Sequence, residues 1–174
     1  MKKFSLSALL LLTSCSSGGT PLTAMDRSLD LPKFMGRWYV IANIPTYFEK
    51  GAHNATETYT WNHEENRIDI DFSFNKDSLD GPVKKIPQTG WVYNETTKAE
   101  WRVQPLWPLK LAYLVLDVAP DYSDTIIGVP SRNYVWIMAR ESSLKPARYK
   151  ALVKKVKELG YDTSLLQLIP HNPK

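Results

Sequence analysis

From Gly36 to Arg140 the chain keeps one period, and that period is two. It is cleanest at Ile68, Ile70, Phe72 and Phe74, which alternate with Asp69, Asp71, Ser73 and Asn75. Side chains two apart share a face only in an extended strand, so this run is a half-buried antiparallel strand. Before it, Trp38 to Ile44 is apolar and β-prone, and Thr56 to Trp61 alternates up to a turn at Asn62 to Asn66. After it come Val83 to Tyr93, bent at Pro87 and Gly90, then Glu100 to Gln104, Leu109 to Val118, Thr125 to Val129, and Tyr134 to Arg140. Eight short strands joined by hairpin-length turns, with no helix between them, leave a sandwich or an up-and-down barrel, and closure removes the unpaired edges.

Leu109 to Val118 departs from the alternation, being almost continuously apolar, and so predicts burial on both faces. The cover is supplied downstream. Pro146 fits the first turn of a helix and Gly160 the position past its end, with Tyr149, Leu152, Val153, Val156 and Leu159 on one stripe over 146–159. The opposite face carries Lys150, Lys154, Lys155 and Lys157, a solvated face. Leu165 to Ile169 reads as a last short strand beside the barrel. The expected fold class is therefore all-β: an eight-stranded antiparallel up-and-down barrel with one C-terminal α-helix packed outside.

The N-terminus sets the compartment. Lys2 and Lys3 precede an apolar run from Phe4 to Leu12, too short to span a bilayer, and Leu12-Thr13-Ser14 leads to the one cysteine of the chain, Cys15. This order resembles a bacterial lipoprotein signal, in which the cysteine becomes the acylated N-terminus. The resemblance implies a signal peptide over 1–14, lipid attachment such as palmitate at Cys15, and, with Ser16 next, delivery to the outer membrane. Residues 15–30, rich in Gly, Ser, Thr and Pro, read as a lipidated flexible tether, and 31–174 as the barrel domain. Loss of Lys2 and Lys3 would reduce the formal charge of +4 to about +2, which gives no footprint for nucleic acid. One cysteine also leaves no internal disulfide, so the domain must be held by its core.

Three motifs in order, Gly36-Arg37-Trp38-Tyr39, Asp121-Tyr122 in a late turn, and Tyr134-Val135-Trp136-Ile137-Met138-Ala139-Arg140 before a helix, resemble the lipocalin family. With the lipoprotein signal, the likeness is to bacterial outer-membrane lipocalins, the domain expected to face the periplasm. The family pattern implies structural roles for Gly36, Trp38, Asp121, Tyr122 and Arg140, the arginine stacking on the Trp38 indole at the closed end. Pro120 departs from the threonine usual before Asp121.

A barrel of eight strands has room for one small ligand. Parity proposes Phe72, Phe74, Trp91, Trp101, Tyr113, Tyr134, Trp136 and Met138 as ligand-binding residues, with the Tyr113 and Tyr134 hydroxyls, or Arg102 if it turns inward, for a head group. For each residue alone plain core packing serves equally well. Six tryptophans and nine tyrosines exceed what a filled barrel needs, which favours a cavity. The resemblance implies a fatty acid or lysophospholipid ligand, and a homodimer is left open. No cofactor and no metal are expected, because His53, His63 and His171 have no ligand spacing. Catalysis is not expected either. The alternative is a structural or partner-binding lipoprotein with a filled barrel, acting through open-end loops around Tyr47-Phe48 and Leu106-Trp107-Pro108-Leu109.

Overall fold

The protein is described by a computed structural model over residues 20–172. The signal peptide expected over 1–14 and the lipid-attachment residue Cys15 lie outside the described residues. The eight barrel strands are β1 (Gly36–Ile44), β2 (Ala52–Asn62), β3 (Arg67–Lys76), β4 (Val83–Val92), β5 (Glu100–Leu106), β6 (Leu109–Val118), β7 (Asp124–Gly128) and β8 (Val135–Ala139). Each pairs antiparallel with the next, and β8 returns to β1, whose first half also pairs with β2. The sheet thus closes, as the alternation predicted. Where β2 leaves β1, the short β9 (Gln167–Leu168) takes its place against Ala42 and Asn43.

The two faces of the wall make two cores. Inside lie Trp38, Val40, Tyr59, Ile68, Ile70, Phe72, Phe74, Trp101, Val103, Tyr113, Val115 and Met138. Outside, Ile41, Leu114, Leu116, Ile126 and Ile137 meet Leu152, Val156 and Tyr161. β6 therefore buries Tyr113 and Val115 inward and Leu114 and Leu116 outward, which accounts for the apolar run there, whereas Leu109 to Leu111, expected to be buried as well, are exposed. The covering helix, α2, spans Pro146–Glu158 and is tied to the barrel by charge as well. Arg148 Nε and Nη2 donate to the two oxygens of buried Asp124, both at 2.7 Å, and Lys155 Nζ lies 2.7 Å from Asp117 Oδ1.

The flexible tether read from composition over 15–30 does not hold for residues 20–30. From residue 20 onward it lies on the barrel: Leu22 and Leu29 are buried, the Met25 amide donates to Val115 O at 2.9 Å, and the Leu29 amide to Thr97 O at 2.7 Å. Two leucines among polar residues suffice, since burying each contributes about 1.5 to 3 kcal/mol.

This segment ends in α1 (Leu31–Phe34), whose first turn is capped by the Asp30 carboxylate, and α1 forms the floor. Gly36 follows at φ +94°, a left-handed conformation that a side chain would strain, and aims Trp38 under the barrel. Trp38 Nε1 donates to Phe34 O at 2.8 Å. The Arg140 guanidinium lies 3.7 Å from the centre of the Trp38 ring and donates to four carbonyls, those of Lys33, Phe34, Met35 and Arg37, at 2.7 to 3.0 Å. The second motif is also fully bonded despite Pro120. Asp121 Oδ1 accepts the Ser123 amide at 3.1 Å, and the Tyr122 hydroxyl accepts the Asp30 amide at 2.9 Å. Among the described residues no helix is long and apolar enough to cross a membrane.

Candidate ligand-binding site in the barrel

Register decides which proposed site residues face inward. Trp101 stands opposite Tyr113, Glu57 opposite Phe72, and Met138 opposite Val40. Phe72, Phe74, Trp101, Tyr113 and Met138 are all buried in the inner core, and Trp136 is packed against it. Trp136 stacks on Tyr113 at 6.2 Å and Tyr113 on Trp101 at 5.6 Å, so an aromatic column descends from the mouth. Tyr134 is the top of this column, 6.4 Å from Trp136, and is partly exposed at the rim.

Trp91 does not belong to the site. β4 presents Gly90 inward, opposite Ile68 and Val103, where an added Cβ would lie only 3.2 Å from Ile70 Cδ1. That close approach sends the next residue, Trp91, to the outer wall, where the Lys110 ammonium sits 3.8 Å over its ring. Arg102 does not turn inward either. It stacks 3.5 Å over Tyr93 on the same outer wall and pairs with Glu100 at 2.7 Å.

Exposure along the inner face rises from floor to mouth. Trp38 and Trp101 are fully buried, Tyr59 is 1 % exposed, Tyr113 and Glu57 are each 7 %, and Leu111 and Leu109 reach 52 % and 56 %. The closed half is solid packing, and water reaches the wall from about the level of Tyr113 upward. The loops at the mouth add exposed Tyr47, Phe48, Leu106 and Trp107.

Residues that the sequence reading passed over supply the polar chemistry. Glu57 on β2 faces inward, and its Oε2 accepts the Tyr59 hydroxyl at 2.6 Å and the Tyr113 hydroxyl at 3.2 Å, while those two hydroxyls also touch each other. Desolvation pushes the Glu57 carboxyl up to about 7, helped by repulsion from Glu49 and opposed by the two tyrosines. Among the described residues no cation acts on it. Glu49, in the 3-10 turn Tyr47–Glu49 at the mouth, is also buried, and desolvation raises its carboxyl too. Its oxygens accept the Thr46 amide at 2.7 Å and Trp136 Nε1 at 2.9 Å. Asn43, opposite Trp136 on β1, is 2 % exposed and its Oδ1 has no donor. The signal for Glu57 was present: it shares parity with Tyr59 and Trp61 in an alternating run whose other face is threonine.

Two surface hollows, of about 380 and 320 Å³, lie elsewhere. The larger is walled by Asp124 and Arg148, already paired with each other, and the smaller lies at the closed end between Trp61 and Trp91. Neither offers an unpartnered buried polar group, so the barrel is the better site. The histidines stay apart: His53 contacts Gly51 O, His63 packs on Trp61, and His171 contacts Val40 O. No metal-ligand cluster forms among the described residues.

Comparison with known proteins gives the same architecture. A family model described as a lipocalin-like domain matches residues 29–171. Temperature-induced lipocalin-1 of Arabidopsis thaliana is 31% identical over 157 residues, covering 84% of this chain and 81% of the relative. Outer membrane lipoprotein Blc of Escherichia coli K12 is 24% identical over 158 residues, 90% of this chain and 88% of the relative. Among solved structures, apocrustacyanin C2 superposes with a TM-score of 0.64 at 13% identity, covering 82% and 80% of the two chains.

Proposed function

This chain belongs to the lipocalin family, which binds small hydrophobic ligands, and from that premise we propose that it is a lipid-anchored outer-membrane carrier of single-chain lipids. Fatty acids and lysophospholipids are the ligand classes proposed, one per barrel or one shared by a pair of chains. The observation that carries the reading is the rise in exposure along the inner wall, from a solid floor at Trp38 and Trp101 to open apolar side chains at Leu109 and Leu111. A wall of this kind, apolar with a few placed polar groups, suits an amphiphile that enters through the mouth. Phe72, Phe74, Tyr113, Trp136 and Met138 are its contacts in this reading, with Tyr134 at the lip. It is a binding role, without a catalytic step.

Anchoring is carried by the first residues rather than by the barrel. The order of Lys2-Lys3, apolar run, small residues and Cys15 supports acylation, and the likeness to outer membrane lipoprotein Blc supports the destination, the domain facing the periplasm. Four exposed side chains at the mouth, Tyr47, Phe48, Leu106 and Trp107, favour a second reading, a partner-binding lipoprotein acting through these loops.

Native mass spectrometry separates the two readings. Protein lacking the first fifteen residues is titrated with an eighteen-carbon fatty acid and with its lysophospholipid. The carrier reading expects saturable uptake of one lipid per barrel or per dimer, weakened by Trp136→Ala in a protein that still folds. Absence of saturable uptake refutes it and leaves the loop-mediated reading.

A further inference from the structure

The carrier reading names fatty acids and lysophospholipids as ligand classes, and the inner wall bears on which polar end is held at the deep site. Three acceptors line it. Glu57 is buried with Oε2 bonded to two tyrosine hydroxyls. Glu49 stands above it at the mouth, and Asn43 Oδ1 is buried without a donor beside Trp136. Among the described residues no arginine or lysine meets them. The groups around Glu57 are Tyr59 on its own strand, Tyr113 on β6, the apolar Trp38 on β1 and Phe72 on β3, and Glu49 from the mouth turn. Lys84, on the inner face of β4 opposite Phe74, is exposed at the rim. Arg140 lies under the floor, with its guanidinium committed to four carbonyls and the Trp38 ring.

Between the acids runs the aromatic column of Trp136 and Tyr113. Aromatic faces attract a desolvated cation, and a carboxylate without a base attracts one further. A carboxylate ligand meets the opposite situation, since two like charges sharing a dry site cannot both stay ionised.

We propose that the barrel binds, head inward, an amphiphile whose polar end is a protonated amine, held by Glu57 and Glu49 across the faces of Trp136 and Tyr113. This rests on the carrier reading, because it needs a barrel that admits a chain. It refines that reading by placing an organic ammonium ahead of a fatty-acid carboxylate at the deep site. The net charge of the whole chain, +4, would attract anions, so a preference for the amine must come from the inner wall.

Dodecylamine, dodecanol and dodecanoate carry one chain and three head groups, and calorimetric titration below their aggregation thresholds reads the difference. At about pH 8.5, above the raised Glu57 carboxyl near 7, the amine is expected to bind at least about tenfold tighter than the carboxylate, with the alcohol between. Lowering the pH to about 6 protonates Glu57 and should narrow the gap, and Glu57→Gln should narrow it at about pH 8.5. Should the variant fail to fold, the head-group order and its pH trend in the natural chain still decide. Equal binding of amine and carboxylate at about pH 8.5, or a gap between them that Glu57→Gln leaves unchanged, overturns this inference and leaves the carrier reading standing. Binding of none of the three overturns the carrier reading, and the inference with it.

Discussion

Replacing Glu57 by glutamine should stabilise the protein, and only where the carboxyl would be charged. The folded-state value is pushed from an ordinary 4.5 up to about 7 because burial disfavours the ionised form. Below 4.5 the group is protonated in both states and contributes no pH dependence. Between 4.5 and about 7 the unfolded chain releases the proton while the folded chain keeps it, so stability falls as pH rises. Above 7 the full penalty applies. At about 1.4 kcal/mol per pH unit, this separation corresponds to about 3 kcal/mol. Glutamine keeps an oxygen for the Tyr59 and Tyr113 hydroxyls and has no charge to desolvate. Urea unfolding of the natural chain and of Glu57→Gln should therefore give matching stabilities at about pH 4.5, and a variant about 3 kcal/mol more stable at about pH 8.5. For a domain of this size that is about 6 to 12 °C in Tm. Glu49 is present in both proteins, so its own desolvation cancels, and the relief of its repulsion on Glu57 is already contained in the raised value. A difference that is flat with pH, or a variant less stable than the natural chain at about pH 8.5, would refute the claim that Glu57 is buried without a counter-charge.

Arg140→Ala removes four carbonyl bonds and the cover of Trp38 at the floor, and should cost about 2 to 4 kcal/mol in urea unfolding. Arg140→Lys, with three donors and no planar face, should recover only part of that loss, and full recovery would show that the charge alone matters. Cys15→Ser in the full chain should abolish incorporation of labelled palmitate and release the protein from the membrane fraction, whereas labelling that persists in the serine variant sinks the lipid-anchor assignment.

The barrel, its closure and its external helix were legible because each rests on periodicity, and periodicity is local. Ile68, Ile70, Phe72 and Phe74 alternate because one face of β3 is wet, and the solid run at β6 reports two dry faces from Tyr113 to Leu116, although Leu109 and Leu111 at its start are exposed. Alternation does not say which parity faces in. On β4 the answer was set by tertiary contact: Gly90 fills the narrow place against Ile68 and Ile70, and Trp91 is displaced outward to lie under Lys110. The segment from residue 20 to α1 was hidden for a related reason, since two buried leucines among polar residues leave no period to read. Glu57 was passed over by a different route, because an acid in an alternating strand is normally assigned to the wet face whatever its parity.

That last error is informative about the site. A barrel interior is filled without strain by Leu, Ile, Val or Phe, and an apolar residue at position 57 would avoid both the desolvation of a carboxyl and its repulsion by Glu49. The floor follows that logic, with Phe34, Trp38 and Trp101 packed at fractional exposures of zero. One level higher the logic is broken three times within one wall, at Asn43, Glu49 and Glu57, and among the described residues no lysine or arginine comes to meet the acceptor. Local rules are broken in this way where a site is kept for something other than folding. A group that restores the balance must come through the mouth, past Leu109, Leu111 and Trp136, and must bring both an apolar body and a donor. Occupancy should then stabilise the fold most at high pH, where the empty site is costliest, and that coupling between ligand and stability follows from mass action on the folded state alone.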